Sequence, residues 1–187
     1  DYGEMIGLVL HGLRPHAVRS HEVHSFLSES TLVTLHEGQS PSIEVLWERC
    51  QASAELASGG PDELLARLAD TLTRRLMSVV EAFDARIDEL IEDALDADDE
   101  LLENLTAVRR DVSATRKVVH PQREALDAAR RSDSPLIGDR GRRRFAEAFD
   151  VANRASHGLD AARTALSETL DAYRGAEARR ATDLSRV

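Results

Sequence analysis

Apolar positions along this 187-residue chain change their period near residue 60. Before that point, short apolar runs with β-branched members occupy residues 5–10, 22–27 and 31–36, and read as three strands. Ser28, Glu29 and Ser30 supply the polar turn of a hairpin between the last two, and Gly38 closes the third. Residues 41–54 read as a short helix. Pro41 falls in its first turn, Ser40 or Ser42 can cap it, and Ile43, Leu46, Trp47 and Cys50 form an apolar stripe. The Ala-Ser-Gly-Gly-Pro stretch at residues 57–61 is the clearest break in the chain.

Beyond the break the period is helical. Pro61, Asp62 and Glu63 start a helix well, because proline is tolerated early and acids suit the positive end of the helix dipole. Leu65, Leu68, Leu72, Leu76, Val79, Phe83, Ile87, Leu90 and Ala94 then recur every third or fourth residue, which spans roughly 50 Å of helix. A turn is expected at residues 96–99. The next helix alternates steps of four and three through Leu101, Leu105, Val108, Val112, Thr115, Val119, Gln122, Leu126 and Ala129. That 3.5-residue period predicts a coiled antiparallel hairpin with the preceding helix. Pro121 is expected to kink this helix or restart it after His120. After a loop at residues 132–138, a last helix is expected from about residue 143, with Phe145, Phe149, Ala152, Ser156, Leu159, Ala162, Leu166, Leu170 and Tyr173 along its seam. It runs to the last residue without a Pro, and its expected continuation is a membrane span. The first strand starts close to residue 1, so sequence on that side is expected to be missing as well.

The fold class that follows is α+β: a small antiparallel sheet remnant with a short helix, then a long helical hairpin and a long stalk helix. The expected division is residues 1–60, 61–135 and 136–187. Composition agrees, with 42% hydrophobic residues but only 4% aromatic, which suits thin seams between helices rather than a broad core. A net charge of −10 argues against nucleic acid as a partner, since phosphate binding needs a concentrated positive field. The single cysteine, Cys50, allows no internal disulfide or cysteine-based metal cluster. There is no phosphate-cradling glycine loop, nucleophile elbow or convincing nucleophile–base pair, and no enzymatic activity is expected.

The order of parts, and three motifs within it, resemble a known family. The motifs are Pro121-x-Arg123-Glu124-x-Leu126 in the hairpin, Phe145-Ala146-Glu147-Ala148-Phe149-Asp150 at the start of the last helix, and Arg163 followed by Leu170-Asp171-Ala172-Tyr173. Together they resemble the cytosolic domain of CorA-type magnesium transporters, including their zinc-transporting relatives. Ala146, Glu147 and Phe149 depart from that family's Phe-Arg-Asp-Val-Tyr-Asp pattern, and its Gly-Met-Asn signature is not in the chain. The resemblance implies a homopentamer at the cytoplasmic face of the inner membrane, with stalk helices around a central axis leading into the membrane. It also implies regulatory magnesium, with zinc second, held between neighbouring cytosolic domains and favouring a closed pore. Carboxylates of adjacent subunits repel, and a hard divalent cation with oxygen ligands bridges them. The alternative is a structural coiled-coil module with no metal role.

Glu147 and Asp150, three residues apart on one helix face, are the candidate ligands of such a site. Their blander role is to favour the helix dipole. Asp93, Asp96, Asp98, Asp99, Glu100 and Glu103 crowd the hairpin tip, which reads as a solvated turn with a diffuse negative field. Five of the seven histidines, His11, His16, His21, His24 and His36, fall in the strand region. His21 and His24 have opposite parity on a strand, so a shared zinc site is disfavoured. The basic run Arg140, Arg142, Arg143 and Arg144 reads as a helix entry paired with nearby acids. Arg179, Arg180 and Arg186 fit cytosolic charge beside a membrane span.

Overall fold

The alternating strands assemble into a three-stranded antiparallel sheet in the order β1-β2-β3, formed by β1 (Ile6–Leu13), β2 (Ser20–Leu27) and β3 (Leu32–His36). These come from a computed structural model that describes residues 4–13, 19–94 and 99–184. Strand β1 runs three residues past the apolar run that announced it. The β2–β3 hairpin closes with the Ser28 amide donating to the Thr31 carbonyl at 2.9 Å. Gly38 follows at a φ of 71°, in the left-handed region where a side chain is disfavoured.

Alternation gives the sheet one buried face. Leu10, Val23 and Leu27 are fully buried there, against Leu65, Leu68 and Leu72 of α3 (Pro61–Ala94). The opposite face leaves Val33 and Leu35 more than half exposed. Helix α1 (Pro41–Ala52) buries only Ser42 and Leu46. Trp47, expected in its apolar stripe, is 64% exposed, because the sheet and α3 meet α1 along a strip too narrow to include it. Ser40 is the N-cap residue but makes no side-chain cap; its carbonyl accepts from the Ile43 and Glu44 amides. A single turn, α2 (Ala54–Ala57), precedes the break, where Gly60 has a φ of 96°.

The long elements are α3, α4 (Asp99–Arg130) and α5 (Asp139–Leu184), of 34, 32 and 46 residues. All nine expected seam positions of α4 are buried. In α3 the seam takes Val80 rather than Val79, which packs only partly. Helix α4 continues through Pro121 without restarting. Helix α5 begins four residues earlier than expected, and its seam is shifted. Phe145, Ala148, Ala152, Ala155, Leu159, Ala162, Leu166, Thr169, Tyr173 and Ala176 are buried, in strict steps of three and four. Phe149, Ser156 and Leu170 flank that line and are half-buried.

The expected pairing of α3 with α4 is the weakest of the three helix contacts; α5 packs more extensively on each of them than they do on one another. The cause lies in the small residues of the α5 seam, which let it settle between the other two. Gly158 is one point of close approach, where a Cβ would lie 2.7 Å from Val80 Cγ1. One apolar cluster joins the sheet to the first half of α3, the end of α4 and the start of α5. A second runs along the far halves of the helices. Cores therefore cross both residue 60 and residue 135.

Candidate functional site

Glu147 and Asp150 are both exposed on α5. Because α5 starts at Asp139, Glu147 stands in its third turn. The helix dipole fades within the first turn, so it does not account for the acid at that position. Glu147 lines an open groove of about 450 Å³ with Glu55, Glu63, Arg67 and Arg144. Its field also reaches Arg74, whose pKa is raised first by the hydrogen bond it donates to Asp70, then by the Asp70 charge, and less by Glu147.

Oxygen donors suit magnesium, which keeps several waters and takes one or two carboxylates. Among the described residues, however, no group of three or more His, Cys, Asp or Glu converges on one point. Glu147 and Asp150 thus stand without a third such ligand among the described residues, and the guanidinium groups beside Glu147 oppose a cation.

The basic run at the start of α5 pairs with acids, as its composition suggested. Arg142 donates to the Ser132 and Ile137 carbonyls and to Asp139, an interaction that lowers the Asp139 pKa. Arg140 and Arg144 reach Glu63 at 3.8 and 3.6 Å, and Arg67 reaches it at 3.8 Å. Glu63 is only 5% exposed. One residue earlier, Asp62 accepts the Gly138 amide at 2.9 Å. Two consecutive acids at the start of α3 thereby fasten the start of α5. The sequence showed them only as helix-starting charge; the signal was an acidic pair facing an arginine run that begins 77 positions after Glu63, which no local pattern reveals.

The histidines follow strand parity. His21 is buried on the inner face, whereas His24 lies on the outer face, 3.0 Å from Glu22. His36 Nδ1 lies 3.0 Å from the Gly38 carbonyl. Burial lowers the His11 pKa, with Glu22 opposing that shift and His24 adding to it. His16, Asp96, Asp98 and Arg186 lie outside the described residues, as does the side chain of Asp99. At the hairpin tip, Asp93, Glu100 and Glu103 are exposed.

The family-like motifs have structural roles. Tyr173 and Phe145 are core residues, and Phe149 carries the Arg130 guanidinium 4.3 Å above its ring. Gln122, within the proline motif, is fully buried. Its Oε1 accepts the His11 amide at 2.7 Å and its Nε2 donates to Thr73 Oγ1 at 3.1 Å. This ties α4 and α3 to β1 and occupies an edge amide of the sheet. Sequence reasoning placed Gln122 in the seam but missed this link.

Comparison with known proteins agrees with this architecture. The family model described as CorA-like Mg2+ transporter protein matches residues 1–187. The Putative metal ion transporter YfjQ of Bacillus subtilis is 24% identical over 166 residues. That match covers 88% of this chain and 52% of the relative, so the chain spans about half the length of that protein. The soluble domain of CorA from Methanocaldococcus jannaschii superposes with a TM-score of 0.83 at 16% identity, covering 94% of this chain and 72% of that one. The ZntB cytoplasmic domain from Vibrio parahaemolyticus gives 0.79 at 13% identity, with coverage of 96% and 72%. Among the described residues no helix is long and apolar enough to cross a membrane.

Proposed function

The chain belongs to the CorA-like Mg2+ transporter protein family, and on that premise we propose that it forms the ion-sensing cytosolic part of a divalent-cation transporter. Magnesium is the first candidate ion and zinc the second. The observation that carries this reading is the family match over the whole chain, together with superposition on the soluble domain of a magnesium transporter. The membrane-crossing path belongs to sequence beyond these residues. In the proposed assembly, five copies set their α5 helices around one axis at the cytoplasmic face of the inner membrane.

Glu147 and Asp150 are the proposed regulatory ligands, completed by carboxylates of a neighbouring copy. Their exposure on α5 supports this, since a shared site needs ligands that face outward. The ion bridges two like-charged surfaces, so its occupancy favours the arrangement that brings them together. The arginines around Glu147 weaken the site, which suits a sensor filled only at high ion concentration.

The test follows self-association and melting of the 187-residue chain in magnesium at constant ionic strength. At ten times the dissociation constant, a ligand bound only by the folded assembly adds about 1.4 kcal/mol. That corresponds to a rise of roughly 3–6 °C in Tm for a chain of this size. The rise should vanish when Glu147→Gln and Asp150→Asn are combined. A Tm and sedimentation profile indifferent to magnesium would remove these residues from ion sensing.

A further inference from the structure

Between the β1–β2 end of the sheet and α4 lies a groove of about 580 Å³ whose charge is opposite to that of the chain as a whole. We propose that this groove binds a tetrahedral oxyanion, of the phosphate or sulfate class, between Arg110 and Lys117 of α4 and the His11 imidazole of β1.

Four observations carry it. Arg110, Ser113, Ala114 and Lys117 fall at helical spacing i, i+3, i+4 and i+7, and all four line the groove, so one face of α4 presents two cations and a hydroxyl. Across from them stand His11, Ser20, His21 and Glu22. Neither Arg110 nor Lys117 enters an ion pair among the described residues, whereas Arg116, on the same helix, is engaged by Asp160 of α5 at 3.4 Å. The one carboxylate in the lining, Glu22, is already bonded by His24. Finally, His11 Nδ1 is buried without a hydrogen-bond partner.

The donor chemistry selects the ligand. A guanidinium, an ammonium, two hydroxyls and the His11 imidazole belong to the two walls of the groove, and a tetrahedral anion can accept from several of them at once. A metal cation is the wrong occupant, because Arg110 and Lys117 face it. The groove exceeds the size of a bare phosphate and has room for a phosphate ester.

Protonation sets the strength. The charged and titratable groups around His11 are Glu22 and His24 on β2 and, across the groove, Arg110 and Lys117 on α4. Without an anion, burial of the ring favours neutral imidazole, with Glu22 opposing that preference and His24 adding to it. An oxyanion reverses that preference, so binding takes up a proton and tightens as pH falls below the ordinary histidine range.

Sulfate is the primary probe, because its charge is constant over the relevant pH range. Ring resonances of His11 in the 187-residue chain are followed by NMR during titration with sodium sulfate, at ionic strength held constant with chloride. Saturable shifts are expected, with affinity about fivefold tighter near pH 5.5 than near pH 7.5. The exposed pair Arg110→Gln and Lys117→Gln should weaken binding by about tenfold or more while leaving the fold intact. Inorganic phosphate and ADP form the second arm. Tighter binding of ADP assigns the groove to a phosphate ester, and equal binding assigns it to the free ion. Shifts that fail to saturate, or that persist unchanged in the double variant, would overturn the proposal.

Discussion

Gln122→Leu tests how the sheet is held to the helices. The substitution keeps nearly the same volume in a site with no exposed surface but removes both polar contacts. Thr73 loses little, because its hydroxyl still donates to the Ala69 carbonyl at 2.7 Å. The His11 amide loses its acceptor, and leaving such a donor unmet costs about 1–3 kcal/mol. The added apolar burial of leucine returns part of this, on the order of 1 kcal/mol. A net loss of up to about 2 kcal/mol lowers Tm by up to roughly 8 °C for a chain of this length. Thermal melting gives the magnitude, and amide hydrogen exchange gives the location: protection at His11 should drop while that of α5 amides at the Leu159 level changes little. If Gln122→Leu melts at or above the parent temperature with His11 still protected, the link is not what secures β1, and the reasoning fails. Thr73→Val in the leucine background should cost less than in the parent, by about 0.5 kcal/mol or more, because the two residues share a bond.

Gly158→Ala should destabilise the chain despite alanine's better helix propensity, since the new Cβ would sit 2.7 Å from Val80 Cγ1. Overpacking of this kind costs about 1–3 kcal/mol, and Val80→Ala should recover part of it in urea titrations. The His11 contribution to stability has a defined sign. Its folded pKa lies below the ordinary 6.5, so the unfolded chain binds more protons just below that value, and stability is full above it and falls as pH drops through the folded pKa. His11→Gln should flatten the stability profile below about pH 6.5, as measured by denaturant midpoints across pH without sulfate or phosphate.

What could be read from the linear chain was whatever depends on periodicity. The α4 seam was legible to the residue, because a burial stripe at 3.5-residue spacing leaves no alternative face. The α5 seam was not. Alanines fill both candidate lines there, and only packing decides that Ala148, Ala155 and Thr169 face inward rather than Phe149, Ser156 and Leu170. Large side chains drew attention, but small ones make the contact. Trp47 failed for a related reason: an aromatic at a helical spacing looks like core, yet burial depends on how wide a surface the partner elements offer. The opposite faces of His21 and His24 were legible from parity alone. Glu63 with Arg140 and Arg144, and Gln122 with His11, pair across long separations, so neither constellation leaves a local trace. Glu147 and Asp150 came from a motif resemblance, and their outward placement adds geometry but no third ligand.

The fastening of α5 by Asp62 and Glu63 gives that helix one anchored end. Its 46 residues extend about 69 Å at helical rise, and beyond Ala176 the described side chains face solvent. Its seam is also bedded on α3 and α4 as far as Ala176, so the helix does not swing alone. A displacement at the anchored turn is carried by the three long helices as one body, and only the turns beyond Ala176 project from it.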